Sequence, residues 1–303
     1  MTDQMSPNKT TDGSTIASQP RLRDAQWNWE RIWRRVRYPV ITVINLTIFA
    51  LLWEWGASVY DNANFIPTFS DMASAFKIGW IGGGGDATNE TFDLLQDRVI
   101  WTNFWVTIRV YAVGLIASII VGIPLGLWMG GSKWADAILS PYVWTFSSLP
   151  RIALFPILVL FLGLGDEIKY ALVILTAIFP VIINTWAGVK TTEQSLINAA
   201  RVFGANRRQI YQKVVLPYTL PFVVSGIQLA LSRGLVGVVI AEFLTGASKD
   251  GGLGWLIFRA ARGFNGALTY AALMSLAILA LVLVQGTRSM EAKIAPWRQV
   301  SKT

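Results

Sequence analysis

Few residues in this chain are equipped for chemistry. Its 303 residues include no cysteine and no histidine. That removes thiol nucleophiles, Ser-His-Asp triads, imidazole general bases and the usual thiolate or imidazole zinc site. It also excludes a disulfide-stapled secreted scaffold. What remains to act on a solute is a small set of charges in or beside apolar sequence: Arg109, Arg151, Arg233 and Glu242. A charge at bilayer depth is costly and normally faces a bundle interior or a water-filled path. Arg151 follows Pro150, and proline frees a backbone carbonyl and bends a helix. Arg151 therefore reads either as a pathway residue beside a helix break or as half of an interior ion pair, with Glu54 or Glu242 as partner. Three arginines against one glutamate, Glu54, within apolar stretches make the interior net positive, which favours an anionic solute. Arg109, Arg151, Arg233 and Glu242 are the candidate pathway residues.

Only membrane-crossing elements can position such charges. The chain is 53% hydrophobic and 15% charged, with a mean hydropathy of +0.46; soluble domains carry nearer ~25% charged residues. Six stretches reach the ~20 apolar residues a spanning helix needs: 39–60, 103–131, 137–165, 170–189, 214–241 and 267–287. An all-α, polytopic fold of six transmembrane helices follows. Six such stretches argue against a soluble protein with buried core helices. If all six cross, one side carries 17 Lys and Arg and the other six, in a much longer stretch of chain. By the positive-inside rule both termini are cytoplasmic. The net charge of +8 is thus a topology signal, and no nucleic-acid partner is needed to explain it.

The chain then divides into a cytoplasmic tail, 1–36, and a transmembrane region, 37–303. Residues 1–20 are polar and expected to be disordered. No cleavable leader is visible, so the first span is expected to stay as an anchor. Residues 21–37 interleave Trp27, Trp29 and Trp33 with Arg31, Arg34, Arg35 and Arg37. This pattern suits an interfacial helix on anionic lipid or a retention signal for the first span. The outside segments are 61–102, with a glycine break at 82–85 and short helices at 72–81 and 91–100, and 242–266, with Gly246 and a short helix at 255–262. Trp53, Trp55, Trp101, Trp105, Trp128, Trp134 and Trp186 near span ends read as aromatic belts. The pairs Gly122/Gly126 and Gly226/Ala230 permit close helix packing.

The informative cytoplasmic stretch is 193–221, EQSLINAARVFGANRRQIYQKVVLPYTLP. Glu193 to Arg201 reads as a helix that Gly204 ends. A second short helix carries Arg207, Arg208, Ile210, Tyr211 and Val214 and leads to Leu216-Pro217. Two helices meeting at a glycine turn form a knob able to enter a hydrophobic groove, with Arg201, Arg207 and Arg208 at its rim. Composition alone favours an ordinary basic loop.

The spacing resembles something narrower. Asn198-Ala199-Ala200, then Gly204, then Val214-x-Leu216-Pro217, is similar to the cytoplasmic EAA loop of binding-protein-dependent ABC-importer permeases. Asn198 stands where that family usually has Glu. The resemblance covers roughly residues 100–290. It includes Thr107-Ile108-Arg109, Gly122-Ile123-Pro124-Leu125-Gly126, Leu149-Pro150-Arg151, Gly163-Leu164-Gly165-Asp166-Glu167, Ala241-Glu242 and Gly251-Gly252-Leu253-Gly254. It looks nearest the nitrate/sulfonate/taurine/bicarbonate branch.

The resemblance implies a type I importer-like permease fold and a non-enzymatic role: the membrane subunit of an ATP-driven importer for a small anionic solute. It implies an ATPase-coupling loop at 190–213 with site residues Asn198, Ala199, Ala200, Arg201, Gly204, Arg207, Leu216 and Pro217. The implied partners are two ATP-binding subunits, a second copy of the chain and a periplasmic or lipid-anchored solute-binding protein, in a bacterial cytoplasmic (inner) membrane. The chain has no G-x-x-x-x-G-K-[ST] loop, so ATP and Mg belong to the partner, and no cofactor or metal is expected on this chain. The competing readings are a stand-alone secondary transporter or channel, which predicts inverted repeats or intramembrane carboxylates, and a membrane enzyme, which predicts a cluster of Asp, Glu or His. The sequence shows no inverted repeat and no such cluster, and its single carboxylate within an apolar stretch is Glu54.

Overall fold

The computed structural model describes residues 23–60, 65–82, 98–245 and 251–294, and the regular elements among them are all helical. The expectations for 1–20, for 83–85, for 91–97 and for Gly246 lie outside the described residues. So do the side chains of Trp27, Trp29, Arg31, Trp33, Arg34 and Arg35. The chain divides into two units, 1–56 and 57–303. Helix α1, Arg23–Tyr60, begins in the first unit and ends in the second. Its apolar part, Pro39–Val59, is 21 residues long, enough to cross a hydrocarbon core.

Three helices form the centre of the second unit: α3, Val99–Gly131; α6, Asp166–Lys190; and α9, Leu216–Thr245. Helix α6 lies between the other two, and Val110, Tyr111, Val173, Ala177, Val181, Ala230 and Val238 form their shared core. Glycines set the spacing. A Cβ at Gly126 would stand 2.7 Å from the Ile182 carbonyl oxygen, and one at Gly226 would stand 3.1 Å from that of Pro180. Small residues let backbones approach this closely where lipid supplies no hydrophobic drive for association.

The third span, 137–165, is broken at the expected proline and turns there far more sharply than a kink. Helix α4, Lys133–Ser148, ends at Leu149-Pro150. A 3-10 turn, Arg151–Leu154, and helix α5, Phe155–Leu162, follow at 98° to it. Proline disfavours a helical conformation at the residue before it, and Leu149 is extended, with ψ 140°. Pro156 sits in the first turn of α5, where no N–H is missed.

At the end of the bundle where α3 starts, helix α2, Phe69–Ile81, opens with a reciprocal Thr68/Asp71 capping box. It packs with α10, Leu253–Arg262, and α11, Gly266–Ile294, around Ala75, Ile100, Leu256, Ile257, Leu268 and Ala271. The Trp80 indole N–H donates to Ser275 Oγ at 3.0 Å, tying α2 to α11. Of the outside helices expected from sequence, 72–81 and 255–262 fall within α2 and α10. Residues 99 and 100 already belong to α3. By length and composition, five helices among the described residues suit a membrane crossing, or six if the bent α4–α5 pair is counted as one span.

Candidate functional site

The stretch 193–217 lies at the bundle end opposite α10. Helix α7, Gln194–Val202, closes with two linked hydrogen bonds: the Gly204 N–H donates to the Arg201 carbonyl at 2.9 Å and the Ala205 N–H to the Ala200 carbonyl at 3.0 Å. This is a Schellman ending, which requires a left-handed residue at its turn. Gly204 supplies it with φ +77°. Ala200 and Ala205 join the small apolar core beneath the turn, where Val189, Ile210 and Val215 are buried. Asn206 then starts helix α8, Arg207–Ile210, by a capping box with Gln209, both bonds 2.9 Å. One helix is thus closed and the next opened within three residues, which explains the spacing of Ala200 and Gly204 in chemical terms.

The second helix of the knob is not separate from the span. Helix α8 passes through a π turn, Tyr211–Val215, directly into α9. Residues 207–245 form one helical rod of 39 residues. The wide turn accommodates Pro217, which has no N–H for the i−4 ladder. The Tyr211 hydroxyl donates to the Leu127 carbonyl at 3.1 Å, pinning this junction to the end of α3. Beside it, Lys190 pairs with Asp136, 2.6 Å, and the Trp186 indole N–H donates to the same carboxylate at 2.8 Å.

Most of the expected coupling residues are accessible. Asn198, Ala199, Arg201, Gly204 and Arg207 are exposed, Ala200 and Leu216 are half-buried, and Pro217 is exposed in the first turn of α9. Asn198 accepts a hydrogen bond from Gln194 at 3.0 Å. Sequence reasoning missed the tip itself. Val202 and Phe203 are 85% and 90% exposed, beyond what an ordinary loop leaves of two large apolar side chains. Their signal was position: they immediately precede the glycine that ends the helix.

The four candidate pathway charges separate into two groups. Arg109 pairs with Asp166 at 3.4 Å, and Asp166 also pairs with Lys169 at 2.9 Å. Glu242 is fully buried and accepts from the Thr107 hydroxyl at 2.8 Å and from the Gly254 N–H at 2.8 Å. Thr107 Oγ1 in turn accepts from the Leu253 N–H at 2.8 Å, and Asn103 Oδ1 from the Gly252 N–H at 2.7 Å. Three successive amides entering α10 are therefore capped by side chains of α3 and α9. The positive end of the helix dipole lies against the Glu242 carboxylate. Lys169, also fully buried, donates to the Gly251 carbonyl at 3.4 Å and acts electrostatically on Glu242. Gly252 has φ +110°, and any Cβ there would collide with the Glu242 carboxyl.

Glu242 is thus committed to α10, and the sequence-based pairing of Arg151 with Glu242 is replaced by this cap. Lys169 also corrects the fourth span, expected as a charge-free 170–189. Helix α6 begins at Asp166 and takes Asp166, Glu167 and Lys169 into its first turn. Arg151 donates from Nη2 to the Ser147 carbonyl at 2.9 Å. Arg233 is exposed on α9, and its charge acts on Arg151.

The sequence pattern of the family described as "Binding-protein-dependent transport system inner membrane component" matches residues 122–296, more than half of the chain. The chain belongs to that family. Among permeases like it, the "Taurine transport system permease protein TauC" of Escherichia coli (strain K12) is 30% identical over 202 residues, covering 67% of this chain and 72% of that protein. The "Putative ABC transporter permease protein MJ0413" of Methanocaldococcus jannaschii is 31% identical over 275 residues, covering 91% of this chain and 96% of that protein. In fold, the permease resembles a solved chain described as "Inward facing conformations of the MetNI methionine ABC transporter". The TM-score is 0.56 at 22% identity, over 66% of this chain and 99% of that one. The permease is thus an all-helical, multi-pass membrane protein with an ABC-importer permease fold, a transporter subunit and not itself an enzyme.

Proposed function

We propose that this permease is the membrane subunit of an ATP-driven importer that takes a small anionic solute from a solute-binding protein. The observation that carries the reading is the Val202-Phe203 tip, two large apolar side chains in solvent on a Schellman-capped turn. An exposed apolar anchor rimmed by Arg201, Arg207 and Arg208 is suited to a partner's groove. The partner that completes an importer is an ATP-binding subunit holding ATP and Mg. A second copy of the chain would present a second tip, for two ATPases. In this arrangement Asn198, Ala199, Ala200, Arg201, Gly204, Arg207, Leu216 and Pro217 form the coupling element. In this reading both termini are cytoplasmic, as is the bundle end that carries α7, the membrane is a bacterial inner membrane, and the α10 end faces the binding protein. Residues 1–36 are a tail on the coupling side, and 37–303 form the transmembrane region.

Of the four candidate pathway charges, Arg151 and Arg233 keep that role, while Arg109 and Glu242 hold the α10 end together. The taurine specificity named for one relative is in keeping with an anionic group on the solute, since taurine carries a sulfonate.

The test is Gly204→Val. A β-branched side chain at φ +77° is strained by about 1–3 kcal/mol. Membrane insertion should persist while the ATP-binding subunit no longer co-purifies. Equal co-purification with variant and parent would refute the coupling assignment.

A further inference from the structure

The turns that close α7 and α10 are built alike. After α10 the Gly263 N–H donates to the Arg259 carbonyl at 3.0 Å, the Phe264 N–H to the Ala261 carbonyl at 3.2 Å and the Asn265 N–H to the Ala260 carbonyl at 2.9 Å. Helix α7 ends on the same ladder, through Phe203, Gly204 and Ala205. Asn265 then caps α11, its Oδ1 accepting from the Leu268 N–H at 3.0 Å, as Asn206 caps α8. One residue is out of keeping. The left-handed position, which Gly204 fills in the knob, is filled here by Phe264, with φ +53°. Gly263 stands one place too early for it, at φ −82°. Among the described residues only one other non-glycine residue, Arg98, has a positive φ. A left-handed L-residue is strained, and such strain collects where a side chain is put to use. Phe264 is 59% exposed and meets the exposed ring of Phe65 edge-on at 5.6 Å.

Two cations stand on the same helix. The Arg259 guanidinium lies 5.1 Å from the centre of the Trp255 ring, and that of Arg262 lies 4.7 Å from the centre of the Phe258 ring. Both arginines are exposed, and neither pairs with a carboxylate among the described residues. The rings hold each guanidinium in place, so little side-chain freedom is lost when a carboxylate takes its fork of N–H donors. An open cleft of about 260 Å³, lined by Phe65, Phe264, Thr269, Tyr270 and Leu273, lies next to the turn. Lipid suits this face poorly. A helix that lies in a bilayer surface buries its apolar side among the acyl chains. The apolar side of α10 is already buried in the bundle, where Leu253, Leu256, Ile257 and Ala260 are at most 5% exposed.

We infer that Arg259, Arg262 and Phe264 form a docking face for a carboxylate-bearing surface of the solute-binding protein. The inference rests on the permease reading, and it names the residues and the chemistry by which the α10 end takes its partner. An exposed aromatic anchor beside arginines is the composition that carries binding energy in protein interfaces. The two positive charges select a partner of opposite sign.

The permease is expressed in its own cells with the photo-crosslinking residue benzoylphenylalanine in place of Phe264 or, in a parallel strain, of Phe203, and the cross-linked peptides are identified by mass spectrometry. Position 264 should capture a solute-binding protein through a peptide that contains Asp or Glu, and position 203 an ATP-binding subunit. The captured solute-binding protein is then purified and titrated onto the permease–ATPase complex in phosphatidylcholine nanodiscs. Arg259→Gln combined with Arg262→Gln should weaken its binding by about tenfold and flatten the dependence on salt. Phe264→Gly should weaken binding by about tenfold without lowering the melting temperature, because glycine takes a left-handed turn freely. Unchanged affinity in these variants overturns the inference, as does a Phe264→Gly permease that loses stability together with affinity. If position 264 captures lipid, another kind of protein or nothing while position 203 captures the ATP-binding subunit, the docking face is refuted and the permease reading stands. If position 264 captures the solute-binding protein while position 203 captures no ATP-binding subunit, the coupling assignment fails and the docking face stands. Capture at neither position refutes both.

Discussion

Replacing Phe203 by alanine isolates the docking role of the knob from its folding. The ring is 90% exposed, so the folded permease loses almost nothing when it goes. Surface changes of this kind stay within about 0.5 kcal/mol of stability. Docking is a different matter. Moving a phenylalanine side chain from water to a closed apolar groove is worth about 1.5–3 kcal/mol. At 1.4 kcal/mol per decade, Phe203→Ala should weaken ATPase binding by about 10- to 100-fold. The assay is titration of the ATP-binding subunit onto nanodisc-held permease, run beside a thermal melt of the permease alone. The expected result is a large loss of affinity with an unchanged melting temperature. Unchanged affinity would show that the tip does not enter a groove. Equal losses of affinity and stability would show that Phe203 is a structural residue whose exposure misrepresents it.

Thr107→Val should destabilise the permease by about 2–4 kcal/mol, because the Leu253 amide loses its acceptor and Glu242 loses a donor, each a buried group costing about 1–3 kcal/mol when unmet; hydrogen exchange at 252–256 should rise, and unchanged protection there would refute the cap. Gly126→Ala should cost about 1–3 kcal/mol, since its Cβ would stand 2.7 Å from the Ile182 carbonyl oxygen. Gly286→Ala, in open space on α11, should instead stabilise by about 0.5–1 kcal/mol. Thermal melts in detergent measure both, and equal shifts would count against glycine-set packing.

Sequence reading succeeded where a structural feature depends on residues close together in the chain. The knob was legible because a Schellman ending and a capping box are built from neighbours: Ala200, Gly204, Ala205, Asn206 and Gln209. The break at Pro150 was visible for the same reason, although its 98° turn was not. The failures concern partners far apart in sequence. Glu242 and Thr107 are separated by 135 positions, and nothing in either segment alone names the other. Lys169 was hidden by a hydropathy boundary. A lysine one turn inside an apolar helix looks like the outside end of a span until Asp166 and the Gly251 carbonyl are seen to hold it. The π turn at 211–215 has no local signature beyond Pro217.

The helical rod from residue 207 to residue 245 has no loop in it, so it behaves as a beam. It is about 58 Å long at 1.5 Å per residue. One close seat against α6 is at Gly226, where α9 meets the backbone of Pro180 and Val181. That seat lies about 28 Å from Arg207 and about 24 Å from Glu242. A seesaw tilt of about 10° about such a pivot carries either end by about 4–5 Å, in opposite directions. The α10 cap, built from hydrogen bonds of 2.7–2.8 Å, cannot stretch by that amount and stay closed. Either α10 travels with the beam or it is released, so a push on one face of the membrane arrives on the other as a mechanical decision about a single short helix.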